Sequence, residues 1–188
     1  MTYVLNMWNT YVLTNLICWD CRGLGNRQTV QELKELVRVQ DPSVVFLAET
    51  WLEKAKLSYI CGSLQFGHYH GVSRITRGVG LALFWKNGFT LNVESSSQNH
   101  IDAVINKGKD NAWCFTGIYG APKTQLRSVT WELIRSFHRR RTFPWLCGGD
   151  FNEILKSHEK NGGRLRPVVR WFSFVKFWTN VIYWISVF

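Results

Sequence analysis

The sequence predicts an α/β domain built on a mixed β-sheet, and two patterns support this prediction. A strand-like run, an amphipathic helix and a second strand-like run follow one another over residues 15–48, as in a βαβ unit. Four strand-like runs then follow over residues 78–119 with no helix between them. This succession favours antiparallel strands added to a mixed sheet over a doubly wound parallel fold.

The βαβ unit places two acidic residues at neighbouring strand ends. Residues 15–20 form a β-type run that ends in Asp20, and residues 43–48 form a continuous apolar run that Glu49 follows. Apolar residues recur at three- and four-residue spacing between them, which predicts a helix over 27–40. A right-handed unit sets the two strands side by side, so both carboxylates are expected at one edge of the sheet, where they would suit a cation.

The middle of the chain is predicted to hold short strands. Residues 78–86 indicate a buried strand, and Asn87-Gly88 is a strong signal for a β-hairpin with a return strand over 89–94. The remaining elements are predicted in this order: a loop over 95–99, strands over 100–105 and 112–119, and a helix over 123–141 that ends in the basic run Arg139-Arg140-Arg141.

The run from Phe143 to Glu153 predicts a strand with polar residues at its tip. Its apolar part ends in Gly148-Gly149, after which Asp150 and Asn152 stand two residues apart. Side chains two apart on an extended segment share a face, so a carboxylate and an amide could reach one ligand there. The alternative is an ordinary strand-end turn, in which Gly, Asp and Asn are all common.

The charge of the chain favours a polyanionic partner. At 188 residues and 46% hydrophobic content the chain fits one domain with a core, which excludes an intrinsically disordered protein. Its formal net charge of +10 favours nucleic acid first and an anionic membrane surface second, with a merely basic soluble protein as the alternative. No obligate protein partner is indicated.

Cysteine usage and the first residues bear on the compartment. Five cysteines without disulfide-like spacing favour a reducing compartment, the nucleus or cytoplasm. Cys18 and Cys21 form a C-x-x-C with no second pair at zinc spacing, so core packing is predicted for them. Residues 1–14 have no basic residue before their hydrophobic part, unlike a secretory signal, and are predicted to be a leader, disordered or an edge strand.

Six motifs carry a family resemblance. They are, in order, Trp19-Asp20-Cys21-Arg22-Gly23, Leu47-Ala48-Glu49-Thr50-Trp51, Gly80-Leu81-Ala82-Leu83, His100-Ile101-Asp102, Gly117-Ile118-Tyr119-Gly120 and Gly149-Asp150-Phe151-Asn152-Glu153. Their order and spacing resemble the endonuclease/exonuclease/phosphatase superfamily, and most closely the endonuclease domain of plant LINE-type (non-LTR) retrotransposons. The resemblance implies two mixed β-sheets packed face to face with outer helices, a four-layer sandwich whose second half is expected to be incomplete here.

The resemblance also implies roles for individual residues in phosphodiester hydrolysis. Glu49 would be the main ligand of Mg²⁺ or Mn²⁺, with Asp20 beside it. Tyr119 would face the scissile phosphate of a DNA strand. Asp150 would orient or deprotonate the attacking water, and Asn152 would hold a phosphate oxygen. The basic charge of the chain, and not the resemblance, makes Arg22, Arg139, Arg140 and Arg141 candidates for contact with DNA. For the run of three arginines the alternative is a solvated helix C-terminus, which the helix macrodipole favours.

Two departures from the family pattern bear on activity. Asp20 stands where the family has an asparagine, and an ionised carboxylate cannot donate a hydrogen bond and adds negative charge. The family closes with Ser-Asp-His, but here no Asp follows Asp150 and the last histidine is His158. We therefore expect nicking near background. The alternatives are an active nicking enzyme, a catalytically inactive remnant that binds nucleic acid, and a phosphatase of the same superfamily.

The predicted domain spans residues 15–167, and an apolar aromatic tail follows over 168–188. The tail has the length of a membrane span, but Lys176 falls inside it. A packed helix or a segment foreign to the domain is the preferred interpretation of this tail.

Overall fold

Two β-sheets packed face to face, with helices on both outer faces, form the protein. The computed structural model describes residues 2–9, 12–73 and 80–152. Its elements in chain order are β1 (Thr2–Asn9), β2 (Val12–Asp20), α1 (Arg27–Gln40), β3 (Val44–Ala48), α2 (Lys54–Ser63), β4 (His68–Val72), β5 (Leu81–Trp85), β6 (Leu91–Ser97), β7 (His100–Ile105), β8 (Trp113–Tyr119), a 3₁₀ turn (Thr124–Leu126), α3 (Arg127–Arg140) and β9 (Trp145–Asp150). This is the predicted α/β class, and the two-sheet sandwich with outer helices is confirmed.

Both sheets are mixed, and each contains one parallel pair of strands. Within the described residues, the first sheet has five strands in the order β1-β2-β3-β5-β4, and the second has four in the order β6-β7-β8-β9. β2 and β3 run parallel around α1, as the βαβ pattern predicts. β8 and β9 form the parallel pair of the second sheet. All other neighbouring strands are antiparallel.

The hydrophobic core lies between the two sheets. Phe46 on β3 meets Phe115 on β8 edge to face, with ring centroids 6.1 Å apart, and both side chains are fully buried. Gly117 lies opposite the Phe46 ring, and a Cβ atom there would come within 2.3 Å of it. The close approach of the sheets therefore depends on glycine at this position.

Helices cover the outer faces of the sandwich. Leu33 of α1 and Leu57 of α2 are fully buried among the outward-facing side chains of the first sheet. α3 covers the second sheet, where Ile134 and Phe137 are buried and the Phe137 ring lies 5.0 Å from that of His100. The four layers are thus helix, sheet, sheet and helix.

Helix α1 has the bounds that its sequence predicts. Its N-cap Asn26 accepts a hydrogen bond from the N–H of Gln28 at 2.9 Å through its side chain. Asp41 ends the helix in the left-handed region with φ of 43°, and its N–H donates to the carbonyl of Val37. Both ends are local signals, which is why the prediction for this helix is accurate.

The hairpin predicted at Asn87-Gly88 is wrong. The chain does turn there, since the N–H of Phe89 donates to the carbonyl of Lys86 at 3.3 Å. However, β5 and β6 belong to different sheets, and β6 pairs with β7. Leu91 packs into the core between the sheets. Burial of this side chain favours β6 in the second sheet over a return strand beside β5.

The loop predicted over 95–99 is also largely wrong. β6 continues to Ser97, because residues 95–97 pair with residues 100–102 after a bulge between Val93 and Ser95. A run of three serines has a turn-like composition, and the pairing partner overrides it. α2 and β4 were not predicted, because their patterns are short and are interrupted by Gly62 and Gly71.

The first residues take part in the sheet. β1 is an edge strand paired antiparallel with β2, and β2 itself starts at Val12, so strand structure extends into the segment predicted as a leader. The predictions for Glu153, His158 and residues 168–188 lie outside the described residues. Within the described ranges, no helix is long and apolar enough to cross a membrane.

The five cysteines, Cys18, Cys21, Cys61, Cys114 and Cys147, are free and buried. Burial raises the pKa of the Cys21 thiol to about 12, and its Sγ donates to the carbonyl of Ala48 at 2.9 Å. Burial also raises the pKa of Cys18. Both members of the C-x-x-C therefore pack in the core, as predicted, and as protonated thiols they are poor metal ligands.

Candidate active site at the carboxyl ends of the strands

The two parallel strand pairs end facing the same gap between the sheets. On β2, Asp20 continues the row of Leu16 and Cys18, which face the inter-sheet core. On β8, Tyr119 continues the inward row of Phe115, and Asp150 at the end of β9 is its register partner. Side chains from both sheets thus converge where the strands terminate.

A hydrogen bond between Tyr119 and Glu49 connects the two sheets at this point. The Tyr119 hydroxyl donates to Oε1 of Glu49 across 2.5 Å, and the Tyr119 side chain is only 4% exposed. Burial raises the pKa of the phenol, and the hydrogen bond to Glu49 raises it further. Tyr119 therefore remains a protonated donor at neutral pH.

Asp150 and Asn152 are held by a tight turn after β9. The N–H of Asn152 donates to Oδ1 of Asp150 at 2.8 Å, and Asn152 Nδ2 donates to the carbonyl of Gly120 at 2.8 Å. Asn152 has a φ of 51°, in the left-handed region that asparagine tolerates better than most residues. A Cβ atom on Gly120 would come within 2.1 Å of the Phe151 carbonyl oxygen, so the turn can lie on β8 only because this position is glycine.

Asp150 carries a proton more readily than an ordinary aspartate. Burial raises its pKa, the N–H of Asn152 partly opposes this rise, and the negative charge of Asp20 adds to it. The charge of Asp20 in the first sheet thus bears on the carboxyl group of Asp150 in the second. A partly buried carboxylate with a raised pKa is a candidate general base.

The carboxylate of Asp20 is buried, and neighbouring groups neutralise its negative charge only weakly. It is 8% exposed, and its nearest partners are the N–H of Arg22 at 3.4 Å from Oδ1 and Arg22 Nε at 3.6 Å from Oδ2. The Arg22 side chain is 76% exposed, so solvent screens this ion pair strongly. Arg22 stands at the rim of the site, where a phosphate group could compete for it.

The loops that follow β2 and β3, directly after Asp20 and beginning with Glu49, have a strained backbone and are hydrogen-bonded to each other. Arg22, Glu49 and Trp51 have φ values of 46°, 55° and 53°, which non-glycine residues rarely adopt. The N–H of Gly23 donates to the carbonyl of Glu49 at 2.7 Å, and that of Leu24 donates to Thr50 at 2.9 Å. Such conformations persist only where neighbours enforce them, and they cluster at functional sites. The sequence carried no signal for this strain.

The donor atoms present suit a hard divalent cation held by few protein ligands. Within residues 12–73 and 80–152, no group of three or more His, Cys, Asp or Glu side chains is arranged to hold a metal. Mg²⁺ commonly takes one or two carboxylates and keeps several waters. Tyr119 occupies Oε1 of Glu49, which leaves the other oxygen for a cation, and Asp20 is a buried, poorly neutralised carboxylate nearby. The residues therefore fit the predicted metal.

The basic run at the end of α3 lies away from this site. Arg139 and Arg140 are exposed, whereas Arg141 donates to the buried Asp102 and, at 2.9 Å, to Thr116. Arg141 also lies over the ring of Trp145, the first residue of β9. The site is at the other end of that strand, about 16 Å along it at ~3.3 Å per residue. Short-range sequence patterns give no signal for this buried polar cluster, because its members are far apart in the chain.

Two mixed sheets, outer helices and acidic residues at the strand ends define a class of α/β-sandwich phosphoesterases and nucleases. The sequence pattern of the Endonuclease/Exonuclease/phosphatase family matches residues 7–184, and the chain belongs to that family. No curated protein matches the chain by sequence.

Several solved structures share the fold. The endonuclease domain of TRAS1, a telomere-specific non-LTR retrotransposon, superposes with a TM-score of 0.59 at 10% identity, over 88% of this chain and 71% of that one. The AP endonuclease LMAP from Leishmania major gives 0.60 at 13% identity, over 88% and 66%. The 3′ phosphatase NExo from Neisseria, bound to a product DNA hairpin, gives 0.52 at 15% identity, over 74% and 58%. The chain thus spans between 58% and 71% of the length of these three proteins.

Proposed function

We propose that the protein hydrolyses phosphodiester bonds of nucleic acid with the help of a divalent cation, as a DNA-nicking endonuclease of the retrotransposon type. The observation that carries the proposal is the Tyr119–Glu49 hydrogen bond of 2.5 Å. It joins the two sheets at the strand ends and brings a phenol against a carboxylate, and Asp150 is the register partner of Tyr119 on the neighbouring strand. Family membership and the nuclease neighbours support the reaction class.

The residues of the first sheet would hold the cation. Glu49 would be its main ligand, with Asp20 beside it, and the ion would neutralise the charge that develops on the phosphate. Glu49 is pre-positioned by its strained backbone and by the Tyr119 phenol. Fixed placement of this kind favours catalysis, because no reorganisation is needed during the reaction.

The residues of the second sheet would activate the attacking water and bind the phosphate. The raised pKa of Asp150 suits a base that removes a proton from water. The Tyr119 phenol stays protonated and can stabilise negative charge by donating a hydrogen bond. Asn152, fixed against the Gly120 carbonyl, would hold a phosphate oxygen through its amide.

Nucleic acid is the substrate class that the charge of the chain favours. The formal net charge of +10 attracts a polyanion, and Arg22 exposes a guanidinium beside the acidic site. Of the proteins with the same fold, the NExo phosphatase is bound to a product DNA hairpin, and the TRAS1 domain is described as an endonuclease.

A second candidate is a protein that binds nucleic acid without cutting it, and Asp20 is the observation that favours it. Where the family has an amide, this chain has a buried carboxylate that raises the pKa of Asp150 and would repel a phosphate. The two candidates share the binding step and differ in whether cleavage depends on Glu49.

Supercoiled-plasmid nicking with Mg²⁺ tests the proposal. The variant is Glu49→Gln, which keeps an acceptor for the Tyr119 phenol but lowers affinity for a cation. The matched control is Glu53→Gln, an exposed residue four positions on that makes no side-chain capping bond. We expect Mg²⁺ to raise the melting temperature of the wild type and of Glu53→Gln, but not of Glu49→Gln.

The rate of nicking separates the two candidates. Nicking that is slow but lost in Glu49→Gln and kept in Glu53→Gln supports the nuclease. Binding of plasmid without any Glu49-dependent nicking supports the non-cutting binder. Nicking that survives Glu49→Gln at the wild-type rate would refute the assignment of the site.

A further inference from the structure

Trp51 is an exposed aromatic residue at the rim of the candidate site. It lies two residues after Glu49, and its side chain is 49% exposed. Its φ of 53° is a strained conformation for a bulky residue. An exposed tryptophan is unfavourable in itself, and here the backbone is strained as well. Both features suggest that the ring is placed for contact with a ligand.

The Trp51 ring packs against the backbone of Gly23. Gly23 has a φ of 103°, and a Cβ atom added to it would come within 2.6 Å of Trp51 Cε3. The backbone on both sides is tied down, since Leu24 N–H donates to the Thr50 carbonyl at 2.9 Å and Thr50 N–H donates to Gly80 at 3.1 Å. The ring therefore rests on the β2–α1 loop with half of its surface open to solvent, and its position is fixed before any ligand binds.

Exposed cations lie near Trp51 in the sequence and near the loop that supports its ring. Arg22 directly precedes Gly23, and its side chain is 76% exposed. Lys54, the first residue of α2, is exposed three residues after Trp51. An exposed aromatic ring accompanied by cationic side chains is the combination by which proteins bind single-stranded nucleic acid, with bases stacked on rings and phosphates near the charges.

We propose that Trp51 stacks on a nucleobase of the nucleotide adjacent to the phosphate bound at Glu49, so that the preferred substrate has an unpaired or unstacked base beside the cleavage point. The inference rests on the proposed function and adds to it a residue that selects among nucleic acids. A tryptophan face is sequence-tolerant, because every base has a π-face. We therefore expect a preference for exposed bases over paired ones, without a preference for one base.

Tyr59 provides a matched control for an exposed aromatic residue. It is 79% exposed on α2, and it lies eight residues after Trp51 and ten after Glu49 in the sequence. Replacing it removes an aromatic surface of similar size from the protein without touching the rim of the site. Any effect specific to Trp51 must then come from its position.

The experiment compares binding of a short single-stranded oligothymidine with that of an abasic oligonucleotide of equal length, both in EDTA. Trp51→Leu should weaken binding of the oligothymidine about 5- to 150-fold and leave binding of the abasic strand unchanged. Trp51→Phe should retain most of the affinity, and Tyr59→Leu should behave as the wild type. Equal losses for both oligonucleotides, or equal losses in the Leu and Phe variants, would overturn the proposal.

A measurement on the unmodified protein covers the case in which Trp51→Leu fails to fold. Ultraviolet crosslinking to an oligonucleotide that carries 5-iodouracil, followed by peptide mapping, should attach the base to Trp51. Crosslinks only at other residues would overturn the stacking inference while leaving phosphodiester hydrolysis in place. Failure of the wild type to bind either strand at any salt concentration would overturn nucleic acid as the substrate as well.

Discussion

Asp150 is a residue of the candidate site that lowers the stability of the folded protein at neutral pH. Its carboxyl group is partly buried, and its pKa lies above the ordinary value of 3.8 because burial disfavours the charged form and Asp20 repels it. Between pH 3.8 and the raised pKa of Asp150, the folded protein holds a proton that the unfolded chain has lost. Stability therefore falls as the pH rises through that range, and the full cost remains at neutral pH.

Asp150→Asn should make the protein more stable at neutral pH while removing the candidate base. The amide keeps an oxygen that can accept the Asn152 N–H now 2.8 Å from Oδ1, and it loses the charge. Thermal melts of wild type and variant from about pH 3 to about pH 8 should diverge as the pH rises and meet at the acid end. Asp110→Asn, at an exposed turn position, should show no such divergence. Equal melting temperatures for wild type and Asp150→Asn at neutral pH would contradict the prediction.

At the scale of elements, α3 and the second sheet are joined by a buried ion pair. Arg141 follows α3 and donates to Asp102 on β7, with side chains only 13% and 5% exposed. Thr116 on β8 donates to Asp102 at 2.6 Å and accepts from the Trp145 indole at 2.8 Å, so the cluster spans β7, β8 and β9. Breaking such a pair leaves a charge buried without compensation.

Arg141→Ala should therefore destabilise the protein by about 3–5 kcal/mol, because Asp102 would remain charged and buried. Arg139→Ala, two residues away on the same basic run and exposed, should change the free energy of unfolding by less than about 0.5 kcal/mol. Urea denaturation of the two variants beside the wild type measures both. Similar losses in both variants would show that the ion pair does not stabilise this part of the fold.

For the whole molecule, net charge and the position of the site together determine how nucleic acid binds. The chain carries +10, yet its basic residues differ in availability. Arg22 is exposed beside the acidic gap, whereas Arg141 is paired inside the second sheet at the far end of β9. Only charges that meet phosphates release counterions, so the salt dependence of binding reports which of them contact the strand.

The affinity for DNA should fall linearly with salt on logarithmic axes, with a slope of about −0.9 for each phosphate neutralised. Arg22→Ala should make that slope shallower by about 0.9, the contribution of one phosphate contact. Arg139→Ala should leave it unchanged, because that residue lies at the opposite end of β9 from Asp150. Titrations by fluorescence anisotropy at several salt concentrations measure the slopes. A slope that responds to Arg139→Ala but not to Arg22→Ala would place the DNA on the other end of the molecule.

The sequence by itself determined the features that depend on neighbouring residues. The apolar spacing and capping signals of α1, the βαβ unit and the polar ends of β2, β3 and β9 all follow from short-range patterns. The presence of acidic residues at strand ends was predictable for the same reason. Tyr119 entered the candidate site through the family resemblance and not through periodicity.

Tertiary structure alone decided which elements meet beyond the βαβ unit. The turn at Asn87-Gly88 has hairpin chemistry, yet β6 joins the second sheet because its apolar side chains fill the core between the sheets. The Tyr119–Glu49 hydrogen bond and the pairing of Arg141 with Asp102 join residues far apart in the chain, and the strained φ of Trp51 persists because surrounding loops enforce it. Local patterns specify φ and ψ along a segment, whereas partners across the sandwich are chosen by burial of the whole chain.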